Sequence, residues 1–284
     1  MITTNYLLEE AERIREVLEK KRQQLSLSFI EEDHIYFMKD LDGNIKSDYP
    51  SVSKVIKNFY EEFDKEGVSL RMSKGNKEKQ QALLSEWEDK ALYATNKGSR
   101  VHYILEDQLI ELYGGYKSVR KPIFECNEEQ VKDGDAMVNA GNDFIDLMHE
   151  RGAVLLDTEM VLGSNRLGYV GQPDKAWLLA NKQQTDYGIV ITDWKTNKPS
   201  SFVPKHYTKF MLPPFEYLHD TALGHYYVQL PSYGKLLMDR LSDTESSNKQ
   251  MLGYIIVPLD KYSQFTEYRV PSYVARDVFN TKLV

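Results

Sequence analysis

Cysteine is almost missing from this sequence: among 284 residues, Cys126 stands alone. A lone thiol excludes an internal disulfide and any zinc or iron–sulfur site built from several cysteines, so a metal bound here must take oxygen and imidazole ligands. Such donors favour magnesium or manganese. Long apolar runs are missing too. No segment approaches the roughly 18 consecutive apolar residues of a membrane helix, and the N-terminus (MITTNYLLEEAERIREVLEKK) is too acidic for a transit peptide and lacks the apolar run of a signal peptide. The expectation is a cytoplasmic protein with no membrane partner. The third deficit is positive charge: 36 lysines and arginines face 43 aspartates and glutamates, a net charge of −7. That balance disfavours coating nucleic acid by bulk electrostatics, which relies on many Lys and Arg contacts to phosphate, but it leaves room for a local basic groove.

The chain is 41% hydrophobic, enough for a sizeable core in one large or two small domains. Residues 3–25 place Leu7, Ala11, Ile14, Val17, Leu18 and Leu25 at helical spacing behind a Thr-rich start that can cap a helix. A β-hairpin is predicted around Asp42-Gly43-Asn44, followed by Pro50 and a helix capped by Ser51 or Ser53. Residues 60–95 are charge-rich and helical in pattern, an amphipathic helix opened by Gly98-Ser99 follows over 98–113, and another is expected over 128–150. After Gly152 the pattern changes to period two. AVLLDTEMVL, RLGYVGQPDKAWLL and YGIVITDWKT read as three consecutive strands of one sheet. A helix at about 219–240 carries Pro231, which should kink or break it, and GYIIVPL and TEYRVP supply two last strands. The expected class is α/β, a central mixed sheet flanked by helices, with residues 1–97 packed as an N-terminal region on a core of residues 98–284.

Charged residues close the strand YGIVITDWKT. An acidic residue two positions before a lysine recurs at Glu19 and Lys21 and at Glu88 and Lys90, in ordinary charged helices, so the pattern alone proves little. The strand context separates Asp193 and Lys195: residues two apart project to one face, and Trp194 points away. The preceding strand is expected to end near Asp174, with Gly168 and Gly171 permitting a tight bend. If those strands pair as a hairpin, Asp174 and Asp193 converge, and two close carboxylates repel unless a cation lies between them. Lys195 then completes the site. From Lys195 to Phe215 there are four lysines (Lys195, Lys198, Lys205, Lys209) and His206 with no acidic residue, either a basic substrate flank or a solvated loop. Phe202, Tyr207 and Phe210 lie among them, suited to stacking on unpaired bases or to anchoring the loop on the core.

These pieces resemble the PD-(D/E)XK nuclease superfamily, in particular its RecB-like exonucleases. Pro173-Asp174 matches the first half of the motif and Asp193-Trp194-Lys195 the second. Gly98-Ser99-x-x-His102, with Glu106 one turn later, is similar to the family's upstream helix, and Gln229-Leu230-x-x-Tyr233 to its downstream Q-x-x-x-Y helix, although Pro231 departs from a regular helix there. His34-Ile35-Tyr36 and Pro50-Ser51-Val52-Ser53 resemble the opening of phage exonucleases of this type and of the mitochondrial genome maintenance exonuclease, so the likeness runs from about residue 34 to 257.

The resemblance implies a restriction-endonuclease-like core and a metal-dependent deoxyribonuclease, an exonuclease on DNA ends or single strands, of phage or bacterial origin. By the family's mechanism, His102, Asp174, Asp193 and the Trp194 carbonyl hold Mg²⁺ or Mn²⁺, while Asp174, Asp193 and Lys195 carry catalysis. Gln229, Tyr233, Lys198, Lys205 and Lys209 contact DNA, and Glu106 and Glu159 support the site from behind. DNA is the expected partner, with replication or recombination proteins beside it. The alternatives are a structure-specific endonuclease on the same scaffold and a catalytically inactive binding module. Plain readings stay open for the single residues: a packed histidine, surface glutamates, and an amphipathic Gln229–Tyr233 pair.

Overall fold

The computed structural model describes residues 2–30, 34–113, 124–204, 209–242 and 249–284. Helix α1 (Thr4–Gln24) begins where the Thr3 side chain accepts the Tyr6 N–H, and it buries Leu7, Ala11, Ile14 and Leu18 as one stripe. Strands β1 (Ser28–Ile30), β2 (Ile35–Lys39) and β3 (Ile45–Lys46) form a small antiparallel sheet. The expected β2–β3 hairpin turns at Gly43, which has φ +88°, while the Asp40 carboxylate accepts the N–H groups of Asp42 and Asn44. Strand β1 is an addition to the expected hairpin. Ser51 caps the short helix α2 (Val52–Ile56) by accepting the Lys54 N–H.

Helix α3 (Lys65–Met72) leads into α4 (Lys77–Tyr113), a single helix of 37 residues. Gly98 therefore lies inside a helix instead of opening one, and the expected division between residues 97 and 98 falls mid-helix. The glycine has a different reason to be there. A Cβ at position 98 would stand 2.8 Å from Thr196 Oγ1, so its absence lets α4 lie close against the segment that follows Lys195. Helix α5 (Glu128–Glu150) starts with a reciprocal capping box between Asn127 and Gln130.

The main sheet contains β4 (Val154–Thr158), β7 (Lys175–Ala180), β8 (Tyr187–Lys195), β9 (Gln250–Pro258) and β10 (Tyr268–Arg269), in the spatial order β10-β9-β8-β7-β4. The three stretches expected as strands of one sheet supply β4, β7 and β8, neighbours in it, and two intervening strands, β5 (Leu162–Ser164) and β6 (Tyr169–Gly171), add a separate ladder that was not expected. The reason is local: the Val170 N–H goes to the Pro50 carbonyl, and Ser51 bridges Val170, so β6 is paired toward the start of α2. Strands β8 and β9 run parallel and the other main-sheet pairs antiparallel, giving a mixed α/β sheet. Helix α6 (Ala222–Leu241) connects β8 to β9, and α7 (Ser272–Asn280) closes the chain. Of the kink or break expected at Pro231, the break does not occur: α6 runs on through it. Losing one helical N–H costs about 3 kcal/mol in an exposed helix, but here Val228, Leu230, Leu236 and Leu237 are fully buried around the proline and hold the helix in place.

Central strand β8 is covered on both faces, as a parallel neighbour and flanking helices require. Ile189 and Ile191 enter the cluster shared with α1 and α6, while Val190 and Trp194 enter the one shared with α4 and α5. Among the described residues, no helix is long and apolar enough to cross a membrane.

One buried carboxyl lies apart from this strand. Burial pushes Asp157 up to about 6, with the Thr158 N–H and Arg15 opposing the rise. A folded value above the unfolded one of about 3.9 means that its stabilising contribution is complete below the unfolded value and is lost as pH rises through about 6. Asp157→Asn is expected to remove that loss, so in urea melts the variant should gain on wild type by about 1–2 kcal/mol between pH 4.5 and pH 8. A difference that stays constant across the two pH values rejects the assignment.

Candidate metal centre and cleft

The open end of the β7–β8 hairpin builds the site. Lys175 pairs with Thr192 across the ladder, so Asp174, which immediately precedes β7, comes level with Asp193. The strand begins after Asp174, where the sequence suggested that it ended there, yet the two aspartates still meet. The Trp194 N–H donates to Asp174 Oδ2 at 2.8 Å, and His102 Nδ1, from α4, lies 3.4 Å from the same oxygen. Glu159 joins from the other side. It follows β4 with φ +49°, a left-handed conformation uncommon outside glycine that costs about 1–3 kcal/mol. The Glu159 N–H donates to the Asp174 carbonyl at 2.8 Å and its own carbonyl accepts Gln172 Nε2 at 2.9 Å, which hold it in place.

His102, Glu159 and Asp174 offer one imidazole nitrogen and two carboxylate oxygens, all within 4.8 Å of one another. Hard oxygens with one imidazole suit a divalent ion such as Mg²⁺ or Mn²⁺. Glu159, expected only as a supporting acid, is thus a member of the triad, whereas Asp193 stands beside it with its carboxylate on the Lys195 ammonium. The Trp194 indole is fully buried on the opposite face, and the backbone group it turns to Asp174 is the N–H. Glu106 is buried as well, 4% exposed on the inner side of α4.

Electrostatics separates the two aspartates. Burial would raise Asp174, but His102, Lys175, Lys195 and the Trp194 N–H outweigh it and hold the carboxyl below the ordinary aspartate value. Burial and the neighbouring Asp174 charge push Asp193 up to about 6 against the pull of Lys195. For Lys195, burial opposes the charge, yet Asp193, Tyr226 and Asp174 together raise it above an ordinary lysine. Its ammonium also lies 4.4 Å from the Tyr226 ring centre.

The triad borders a cleft of about 440 Å³. Gly98, Ser99 and His102 of α4 line one side, and Tyr36, Ser53 and Tyr233 line the other. Gln229 Nε2 donates to Ser53 Oγ and to Tyr233 Oη, each at 3.2 Å, so α6 keeps the two residues one turn apart despite Pro231. Both are buried, and of the pair Tyr233 reaches the cleft. The basic segment is more dispersed than its sequence suggested. Lys198 is exposed, Lys209 is paired with Glu61, and Lys205 and Tyr207 lie outside the described residues. Phe202 is buried and stacked on Tyr268 at 5.7 Å, so it anchors the segment to the core, while Phe210 is 56% exposed and stacks on His219.

Lys175 was missed in the sequence. It is fully buried against Trp194 and 3.8 Å from Asp174 Oδ2. A signal existed: Lys175 shares a strand face with Trp177 two residues on, and a charge on a face that a tryptophan buries needs a partner. No family model matches the chain, and no curated protein does.

Gly171 shapes the cleft wall. A Cβ there would fall 2.7 Å from Tyr233 Cε1 and 2.8 Å from Val52 Cγ2. Gly171→Ala should therefore push α6 from β6 and cost about 1–3 kcal/mol, read as a lower Tm. An unchanged Tm would mean that the wall has slack.

Proposed function

We propose that this chain is a metal-dependent deoxyribonuclease on a restriction-endonuclease-like core, acting on DNA ends or single strands. The observation that carries the reading is the convergence of His102, Glu159 and Asp174, from three separate elements, beside the Asp193–Lys195 pair at the edge of a cleft. The mixed sheet supports it, since both motif halves come from adjacent antiparallel strands. The ligand set comprises His102, Glu159 and Asp174, with Asp193 beside them. A divalent ion held there would supply water of lowered pKa and neutralise charge on the scissile phosphate.

The chain's own residues supply the rest. Lys195, kept charged by Asp193, stabilises negative charge as it grows on the phosphate oxygens and orients the attacking water. Water oxygen bonds to phosphorus, the phosphorus–oxygen bond to the leaving sugar breaks, and a proton passes to that oxygen. Lys198 and Lys209, both exposed, draw the phosphate backbone, with the Lys209–Glu61 contact, an exposed pair of small worth, open to exchange. Tyr233 forms part of the wall that the substrate meets, with Gln229 donating to its hydroxyl from behind.

End-labelled single- and double-stranded DNA and covalently closed circles, incubated with Mg²⁺, Mn²⁺ or chelator, test the reading. Divalent-dependent shortening of linear DNA from its ends is expected. Cutting of closed circles would indicate an endonuclease, and no cleavage of any form would leave a binding module. Glu159→Gln should lose Mn²⁺ binding and cleavage together. Lys195→Ala should keep or tighten Mn²⁺ binding, since a positive charge beside the carboxylates is removed, and lose cleavage by about 10²-fold or more; folded Lys195→Ala that cleaves within a few-fold of wild type rejects the assignment.

A further inference from the structure

Lys175 is 1% exposed, and among the described residues no other lysine or arginine is as deeply buried. An ammonium taken out of water costs several kcal/mol unless compensated. Its surroundings supply part of the compensation, while burial still holds the Lys175 ammonium below an ordinary lysine. Lys175 Nζ lies 3.8 Å from Asp174 Oδ2 and 4.1 Å from the centre of the Trp194 ring. Glu159, Asp193 and Glu106 also act on it electrostatically. Strand alternation puts Lys175 with Trp177 and Trp194 on the face toward α4 and α5, away from the cleft, so the ammonium approaches the carboxylates from beneath the sheet end.

Charge balance gives this placement a consequence. Four carboxylates (Glu106, Glu159, Asp174, Asp193) share the centre with two lysines, Lys175 and Lys195. With all of them ionised and His102 neutral as a ligand, two negative charges remain, the amount one divalent ion neutralises. Two-ion phosphodiester sites hold their metals about 3.5–4 Å apart and need carboxylate charge for both. Here part of that charge is already spoken for by a side chain that cannot leave.

We propose that Lys175 is a positioning residue that acts as an internal cation in the carboxylate cluster, so that the centre binds one divalent ion per chain. The inference rests on the metal-centre reading above. Lys175 does not meet substrate; it acts through Asp174, by holding the carboxylate and limiting the charge available to metal.

The test is a Mn²⁺ titration of the full chain at pH 8, by calorimetry with free Mn²⁺ followed by electron paramagnetic resonance, and thermal melts alongside. Wild type should bind one Mn²⁺. Lys175→Met, similar in length but neutral, should bind Mn²⁺ about tenfold tighter or more, or take a second ion, because a unit charge a few ångströms from the site is gone. Lys175→Arg should return to one ion at wild-type affinity. A lysine that serves only packing would give equal or weaker binding in Lys175→Met, and that result overturns the proposal. Two ions on wild type overturn it as well, a reading that stands even where the neutral variant does not fold. One ion on wild type with unaltered affinity in folded Lys175→Met sinks this inference alone, whereas no Mn²⁺ on wild type removes the metal centre and this inference together.

Discussion

Asp174 carries the structural burden of the site. Its Oδ2 accepts the Trp194 N–H, stands 3.4 Å from His102 and 3.8 Å from Lys175, and so ties β8, α4 and the start of β7 at one atom. Its backbone carbonyl accepts from Thr158 Oγ1 and from the Glu159 N–H, which brings in the end of β4. A carboxylate buried this deeply is tolerated because the Trp194 N–H donates to it and His102, Lys175 and Lys195 favour its charge, enough to outweigh burial beside the Asp193 and Glu159 carboxylates. Removing one partner would leave a desolvated charge, so the four elements are held to a narrow set of relative positions.

Around that point the packing is arranged to let backbones approach. Gly98 brings α4 against Thr196, and Gly171 lets Tyr233 and Val52 close on β6. The same side chains form the cleft wall. The small β1–β2–β3 sheet adds Tyr36, whose hydroxyl burial raises with help from the Glu159 charge. Thus a peripheral sheet that contributes little to the main core still bounds the cleft, and the N-terminal region and the main sheet meet at the candidate site.

The acidity of the chain and a phosphate substrate are compatible on these terms. Much of the negative charge near the centre is internal and partly balanced by Lys175 and Lys195, while Lys198 and Lys209 are exposed. Net charge describes the whole surface, whereas substrate attraction depends on charge along one edge, screened within about 10 Å at ordinary salt.

Local signals were legible in the residues themselves. The stripe of α1, the extent of α5, the Gly43 turn and the apolar run of β8 each depend on interactions between residues close in sequence, and each was read within a few positions of where it lies. Asp174, Asp193, Lys195 and His102 stood out because strand periodicity and the spacing of the motif mark them. What depends on distant partners was not legible. The separate β5–β6 ladder is decided by Pro50 and Ser51, more than a hundred residues away in the chain, and the continuity of α4 through Gly98 by its packing against Thr196. Helix α6 passes Pro231 because tertiary burial outweighs one lost hydrogen bond. Glu159 enters the triad through a left-handed backbone that no local pattern announces, and Lys175 is charged where strand alternation leads one to expect an apolar side chain. Periodicity therefore determined which faces are buried and which residues bear charge at the hairpin end; only the tertiary structure decided which of those charges meet, because the cost of burying a charge is set by partners that the chain brings from elsewhere.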